Sequence, residues 1–335
     1  MSRTMEFVRQ STICAALILA ASVAEADQFN VIPLMAPNVE TIGVGRLAIR
    51  PDPAQWGRLF HAGAARVTGF PLPEGRMLDL DVVSFDLIDS RTQFLVSRGG
   101  DLKEVAGPAI RFFRGAVSGE TESVVSLSLF GGRIAGFLRT GGKEYSFGPR
   151  SFSQDAEGAM DLEIRDDAAV AAAEAVCDGD EQAPSDKWDG NSALAGSFTT
   201  TAIGPGTILR APVAVEGTVE WVARHGGVSA AQAYTLNLLS QVSAVYESEV
   251  KVQIYIPYVL MNAAEPDGYT GGSNNTGTVL AEQRAKWNGT TNLRQVFRSA
   301  VHVFSTYPSG GAGRAYINAL CGNVPENQNS FDYGV

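Results

Sequence analysis

The stretch "SVVSLSLFGGRIAGFLRTGGKEYSFGP", residues 123–149, decides the fold of the first half of the chain. Apolar residues occupy every second position before the first glycine pair, at Val125, Leu127 and Leu129. Such alternation is typical of a β-strand with one buried face. Gly131–Gly132 and Gly141–Gly142 fit two-residue hairpin turns, because those turns need backbone angles that glycine adopts without strain. The sequence therefore predicts three consecutive antiparallel strands.

Two further segments upstream carry the same kind of pattern. They are "MLDLDVVSFDLI" at residues 77–88 and "RFFRGAV" at residues 111–117, and both are rich in residues that favour strands. We therefore predict that residues 27–150 form an all-β region, built as a β-sandwich or a curled sheet.

The first 26 residues have the arrangement of an export signal. Two arginines precede an apolar run from Ile13 to Val23, and Ala24 and Ala26 provide small residues at a cleavage site. The run is shorter than the roughly 18 apolar residues that a membrane-spanning helix needs. We expect cleavage before Asp27, a secreted or periplasmic protein, and no membrane partner after cleavage.

Charge is concentrated in one part of the chain. The net charge is −10, and the interval from Asp155 to Glu181 holds ten acidic residues and one arginine, so the rest is close to neutral. No basic cluster indicates nucleic-acid binding. Residues 151–206 are rich in Ala, Asp, Ser, Thr and Gly and lack periodic hydrophobicity. This composition is typical of a linker between two domains.

After the linker the pattern changes to mixed helix and strand. We predict a strand that contains Val213, Val215, Val219 and Trp221 and ends at Gly226. Ser229 and Gln232 have the spacing of a capping box, which predicts the start of a long helix. Its predicted apolar face is Tyr234, Leu238, Val242, Val245 and Tyr246. A strand over residues 250–256 follows, and then a second helix with Leu293, Val296, Phe297 and Ala300 on one face. This alternation predicts an α/β sheet.

Residues that could bind a metal are few and far apart. The three histidines are His61, His225 and His302, and none lies within four positions of another histidine or a cysteine. A zinc site needs at least three protein ligands. We therefore expect that residues 27–335 by themselves bind no zinc tightly and are catalytically inactive.

Four segments of the second half resemble, in the same order, the reprolysin (adamalysin) type of metzincin zinc metalloprotease. They are "VAVEGTVEWV", "LLSQVSAVYESEVKVQIYI", "WNGTTNLRQVFRSAVHVFST" and, at residues 310–323, "GGAGRAYINALCGN". The segment "FFRGAVSGETESVVSLSLFGGRIAGFLRTGGKEYSFGP" is similar to the prodomain of that family. The resemblance implies an α+β protein, in which an N-terminal all-β prodomain (27–150) and a linker (151–206) precede a truncated α/β metzincin-like (zincin) catalytic domain (207–335). The helix with the family's His-Glu-x-x-His motif would follow the last residue.

The resemblance also implies a function and a site. The function is that of a secreted zinc-dependent metalloendopeptidase proenzyme, with zinc in the full-length protein and a peptide or protein as substrate. The candidate edge strand for substrate binding consists of Gly311, Ala312, Gly313, Arg314, Ala315 and Tyr316. Two alternatives remain open: an ordinary turn and core strand at this position, and an exported non-catalytic binding or surface protein with a degenerate protease-like domain.

Two cysteines remain after removal of the signal, Cys177 and Cys321. By the resemblance, Cys177 is a candidate inhibitory cysteine switch, whose thiolate would occupy the open position of the zinc. Its context "AVCDGDE" departs from the family's Cys-Gly-Val. A disulfide between Cys177 and Cys321 and a free linker cysteine are the other possibilities.

Overall fold

The computed structural model describes residues 30–33, 39–43, 45–50, 52–149, 162–167, 175–177, 208–270, 276–306, 311–313, 315 and 333–334. Within these ranges, strands contain more residues than helices do. The strands form one ten-stranded sheet, one seven-stranded sheet and one separate pair. None of the helices in these ranges is both long enough and apolar enough to cross a membrane.

The elements before the predicted linker are mostly strands. In chain order they are β1 (Asn30–Pro33), β2 (Val39–Gly43), β3 (Arg46–Ile49), α1 (Pro53–His61), β4 (Ala64–Pro71), β5 (Met77–Phe85), β6 (Gln93–Arg98), β7 (Asp101–Glu104), β8 (Ile110–Val117), β9 (Val124–Phe130), β10 (Arg133–Thr140) and β11 (Lys143–Pro149).

The later elements include most of the helical residues. They are β12 (Leu162–Asp166), β13 (Ala175–Cys177), β14 (Leu209–Gly217), α2 (Val219–Arg224), α3 (Val228–Val250), β15 (Val252–Tyr255), β16 (Tyr258–Ala264), α4 (Thr276–Gly289), α5 (Thr291–Arg294), β17 (Ala300–Phe304), β18 (Gly311–Gly313) and β19 (Tyr333–Gly334).

The ten-stranded sheet is curled and has the order β1-β4-β5-β8-β9-β10-β11-β12-β3-β2. β1 is parallel to β4, and the other neighbours are antiparallel. The two predicted hairpins are confirmed: β9 pairs with β10 around Gly131–Gly132, and β10 pairs with β11 around Gly141–Gly142. All four glycines have positive φ, between 53° and 74°, which is the conformation that these turns require.

The core of the curled sheet lies on its inner face. Every second residue of β9, including Leu127, is buried there together with Leu80 of β5 and Ile164 of β12. Trp56 and Leu59 of α1 belong to the same hydrophobic cluster, so this helix covers part of the inner face. The other face of β9 carries serines and is also buried, since the whole strand is inaccessible to solvent.

The seven-stranded sheet has the order β19-β17-β14-β16-β6-β7, with β15 paired to the first part of β14. β6, β14, β15, β16, β17 and β19 run parallel to their neighbours, and β7 is antiparallel to β6. α3 covers one face of this sheet, where its Leu236 joins Val215 in one cluster. α4 covers the other face, where Trp287 packs with Ala214.

The fold class predicted from the sequence is wrong. The described residues are mostly β and are dominated by the curled ten-stranded sheet, and they do not show an all-β prodomain followed by an α/β metzincin domain. The physical reason lies in non-local pairing. β6 and β7 leave the first half to join the second sheet, where β6 pairs with β16. Local periodicity can indicate a strand, but it does not indicate which sheet accepts that strand.

Helix α3 lies between the two sheets. Its Ser240 Oγ is 2.9 Å from Ser128 Oγ of β9, and both side chains are fully buried. Arg114 of β8 forms an ion pair with Glu247 near the end of the helix. On the opposite side, Ser243 Oγ accepts a hydrogen bond of 3.0 Å from the backbone N–H of Ile254. In the described residues the curled sheet, α3, the second sheet, and α4 with α5 therefore pack in that order.

Several predictions for the second half need correction. The strand that begins at Leu209 ends at Gly217, because Thr218 caps α2 by accepting a hydrogen bond from the Trp221 N–H. α3 begins at Val228 with no side-chain cap, so the capping box is not formed. The second long helix is Thr276–Gly289 rather than the segment around Phe297, which is 78% exposed.

The face of α3 that the sequence indicated is also wrong. Val242 and Tyr246 are 39% and 51% exposed, whereas small and polar residues on two other sides of the helix are buried. An amphipathic pattern identifies a single buried stripe. A helix that is covered by two sheets has two such stripes. On the side of α3 that faces the curled sheet, the buried residues include Ala233 and Ser240.

We predict opposite outcomes for two truncations in α3. Leu236→Ala should lower the free energy of unfolding by roughly 2–5 kcal/mol, because this side chain is fully buried between the helix and the second sheet. Val242→Ala should change it by less than about 0.5 kcal/mol, because Val242 is on the exposed side. Urea unfolding followed by circular dichroism measures both, and equal losses would contradict the two-sided burial.

Candidate functional site

The predicted switch cysteine and the predicted substrate strand are neighbours in the structure. β13 and β18 form a two-stranded parallel sheet. The Cα register places Ala175 beside Gly311, Val176 beside Ala312, and Cys177 beside Gly313. These segments are more than 130 positions apart in the sequence, so the pairing is a property of the tertiary fold.

This arrangement can accept an extended segment of chain. A strand at the edge of a sheet offers backbone N–H and C=O groups that another strand can bind. Gly311–Gly313 contains two glycines and an alanine, so a partner backbone can approach closely. In the described residues the segment that lies there is Ala175–Cys177, from the C-terminal side of the curled sheet.

The other predicted site residues are only partly described. Ala315 is exposed and forms an isolated bridge. Arg314, Tyr316 and Cys321 lie outside the described residues, so the disulfide between Cys177 and Cys321 stays a prediction. The cysteine-switch role of Cys177 also stays a prediction.

The three histidines are in three different places. His61 is exposed at the end of α1, His225 is the C-cap of α2, and His302 lies in β17. The His225 ring stacks on Tyr234 with 4.2 Å between centroids and lies 4.3 Å from Trp221. Burial lowers the pKa of His225 and of His302 to about 4, so both imidazoles are neutral at pH 7.

The described residues do not fit a zinc ion. No group of three or more His, Cys, Asp or Glu side chains in the described ranges could hold a metal. The rings of His225 and His302 pack against aromatic side chains, with Trp221 and Tyr234 beside His225 and Phe304 beside His302. The expectation that this chain binds no zinc tightly stays a prediction.

A buried polar cluster that sequence reasoning missed lies at the carboxyl ends of β14 and β16. We name Glu216, Asn262, Tyr269, Lys286 and Trp287 the Glu216 cluster. Glu216 is fully buried, and its Oε1 accepts hydrogen bonds from Asn262 Nδ2 at 2.7 Å and from Lys286 Nζ. Its Oε2 accepts from the Tyr269 hydroxyl at 2.8 Å and from Trp287 Nε1 at 2.6 Å. Four donors therefore surround one carboxylate.

The Glu216 cluster is closed rather than open to a ligand. Burial and the charge of Glu216 raise the pKa of Tyr269, so its hydroxyl stays protonated and donates. Lys286 Nζ also donates to the backbone oxygen of Asp267, and the Asp267 carboxylate accepts the Val219 N–H at 3.0 Å. The cluster therefore fixes the loop after β16 to the start of α2 and to α4. A signal was present in the sequence: Glu216 is the one charge in the apolar run Val213–Gly217.

A groove of about 300 Å³ lies between the curled sheet and the C-terminal part of α3. Its lining includes Val83, Arg114, Ile208, Ala244 and Glu247, and Arg114 and Glu247 are paired with each other. Among the described residues, those predicted for the site are not part of its lining.

Comparisons with known proteins do not assign a family or an activity to the chain. No family model matches the chain, and no curated protein matches it. Among solved structures, one that resembles it is the crystal structure of metalloproteinase-II from Bacteroides fragilis. The sequence identity is 9%, the match covers 82% of this chain and 75% of that chain, and the TM-score is 0.44. A match at this level does not establish a shared activity.

We predict that the Glu216 cluster contributes strongly to stability. Lys286→Met should lower the free energy of unfolding by roughly 3–5 kcal/mol, because it leaves the Glu216 carboxylate buried without its cation. The double variant Glu216→Gln/Lys286→Met should lose less of the free energy of unfolding, since the neutral amide needs no counter-charge.

Lys143→Met is the matched control, because Lys143 pairs with Asp166 at the surface and such pairs contribute at most about 1 kcal/mol. Urea unfolding at pH 7 measures all three, and similar losses for the two lysine variants would contradict the prediction.

We also predict that acid destabilises the protein through His302. Its pKa is about 4 in the folded state and 6.5 in the unfolded state, so the unfolded chain binds more protons between these values. The stability that comes from the neutral ring is complete above pH 6.5 and is lost as the pH falls to 4. The loss at pH 4 is about 3 kcal/mol. Between pH 7 and pH 4, the free energy of unfolding of His302→Gln should fall by about 3 kcal/mol less than that of the parent protein, as measured by urea titrations. His61→Gln, at an exposed site, should follow the parent protein, and a His302→Gln curve that also did so would refute the assignment.

Proposed function

We propose that this chain belongs to the precursor of an exported zinc metallopeptidase, and that Gly311–Gly313 takes up an extended peptide by strand addition. The observation that carries the proposal is the pairing of β13 with β18. The sequence resemblance to reprolysin-type enzymes supplies the reaction, which is hydrolysis of a peptide bond. The export signal at residues 1–26 supports a secreted or periplasmic location.

In this proposal β13 occupies the edge of Gly311–Gly313 to which a substrate peptide would add. A peptide that adds to the same edge of Gly311–Gly313 must displace Ala175–Cys177, because both use the same row of backbone groups. The precursor is therefore latent towards extended peptides. Tethering strengthens this competition, since a segment of the same chain is present at a high effective concentration.

The alternative is an exported protein that binds peptides without cleaving them. The observation that favours it is the β13–β18 pair, because backbone pairing of this kind can hold an extended segment without any metal. Both functions share the strand-addition site, so they differ only in whether the bound peptide is hydrolysed.

The test uses the protein in the form that its own host exports. It disrupts β13, so that this strand no longer occupies the edge of Gly311–Gly313. Ala175→Pro/Cys177→Pro should raise the affinity for an extended fluorescent peptide by roughly tenfold or more, because proline cannot donate to a strand ladder and the competing segment is lost. Cys177→Ala is the matched control, because it keeps the strand and removes only the thiol. Casein hydrolysis with and without a chelator is measured in parallel.

The outcomes separate the two functions. Chelator-sensitive hydrolysis that rises with peptide affinity supports the metallopeptidase precursor. A rise in affinity without any hydrolysis supports the binding protein instead. If the double proline variant binds the peptide no better than the parent protein, the strand-addition site itself is wrong.

A further inference from the structure

The hairpin β6–β7 comes from the first half of the chain, yet it completes the sheet of the second half. β6 runs parallel to β16, with Phe94 beside Val259 and Val96 beside Met261. The backbone N–H of Gln93 donates to the oxygen of Pro257 at 3.0 Å. The two strands are separated by more than 150 positions in the sequence, and the predicted linker lies between them.

The side chains of this region show that the core of the second half is shared. Phe94 is 7% exposed and belongs to the same hydrophobic cluster as Val259 and Met261 of β16. The Phe94 ring also packs against the chain after β7. A Cβ atom placed on Gly107 would lie 2.5 Å from a carbon of this ring. Three more buried residues from the first half complete this cluster: Phe85, Leu87 and Phe112.

The segment before β6 adds polar contacts to the same place. The backbone N–H of Ile256 donates to the oxygen of Leu87 at 2.8 Å. The Thr92 hydroxyl donates to the oxygen of Ile256 at 2.8 Å. These bonds occupy both backbone groups of Ile256, which lies between β15 and β16. The whole of residues 87–98 therefore lies along the second sheet.

The hairpin also changes the chemistry of the sheet edge. β16 carries the buried apolar run Tyr258–Met261, and without β6 this strand would be an edge. An apolar edge strand promotes pairing with other chains. β7 replaces it with an edge of four exposed residues, three of them charged: Asp101, Lys103 and Glu104. The first half thus supplies the edge that keeps the second sheet from pairing further.

We propose that β16 is a strand-acceptor site whose partner is this chain's own hairpin, residues 93–104. This pairing holds the first half on the second half, so the first half stays bound when the chain is cut between them. This role is independent of peptide hydrolysis and of the β13–β18 pair, because it uses different strands and different side chains.

The experiment cuts the full chain and asks whether the halves stay together. A recognition sequence for a site-specific protease is placed between Cys177 and Ile208, and the purified protein is cut to completion. Size-exclusion chromatography and native mass spectrometry at micromolar concentration should show one complex of both fragments. Circular dichroism checks that each variant is folded before it is cut.

Substitutions then show that the hairpin holds the fragments together. Phe94→Ala should weaken their association by roughly a hundredfold, because it empties a buried position in the shared cluster. Phe70→Ala is the matched control, since Phe70 is also buried but belongs to the core of the curled sheet. Leu102→Ala, on exposed β7, should leave the association unchanged.

Two results would overturn the proposal. One is that the cut fragments of the parent protein separate while each keeps its secondary structure. The other is that Phe94→Ala and Phe70→Ala weaken the association equally. If Phe94→Ala does not fold, Val96→Ala removes fewer buried atoms of the same strand and should still weaken the association about tenfold, compared with no change for Leu102→Ala.

Discussion

The burial of α3 on two opposite sides is the constraint on which the rest of the structure depends. A 23-residue helix that faces a sheet on each side must present a close-packing surface twice. Towards the curled sheet it presents small and hydroxyl side chains, and Ser240 meets Ser128 there. Towards the second sheet it presents Leu236 and Leu239. Because one helix belongs to both cores, the two sheets are held as one packed unit.

The Glu216 cluster follows from the position of β14 in the middle of the second sheet. Val215 faces α3, so the next residue, Glu216, must point to the other face, where α4 lies. A carboxylate in that place is tolerated because Lys286 neutralises it and further donors fill its lone pairs. The cluster therefore turns a buried charge into a fixed junction between the carboxyl ends of the strands and the helix that covers them.

In the described residues, strand pairing joins earlier and later parts of the chain in two separate places. The β6–β7 hairpin pairs with β16, where it fills a shared apolar core. Within the described residues, β13 pairs with β18 through three residues. The β6–β16 contact buries large side chains such as Phe94. A short two-stranded pair contributes little stability by itself in water. The extensive pairing suits a lasting structural role, and the short pairing suits a site that an incoming peptide can take over.

The sequence by itself determined the local elements. Alternation and glycine pairs indicated β9 to β11 and their turns, and apolar residues at helical spacing indicated α3, because these signals act between residues close in the chain. The resemblance named Cys177 and Gly311–Gly313 as separate candidates. Only the tertiary structure decided that those two segments pair, that β6 joins the second sheet, and which sides of α3 are buried. Each of these depends on contacts between residues far apart in the sequence, and periodicity carries no information about which distant surface a strand or helix will meet.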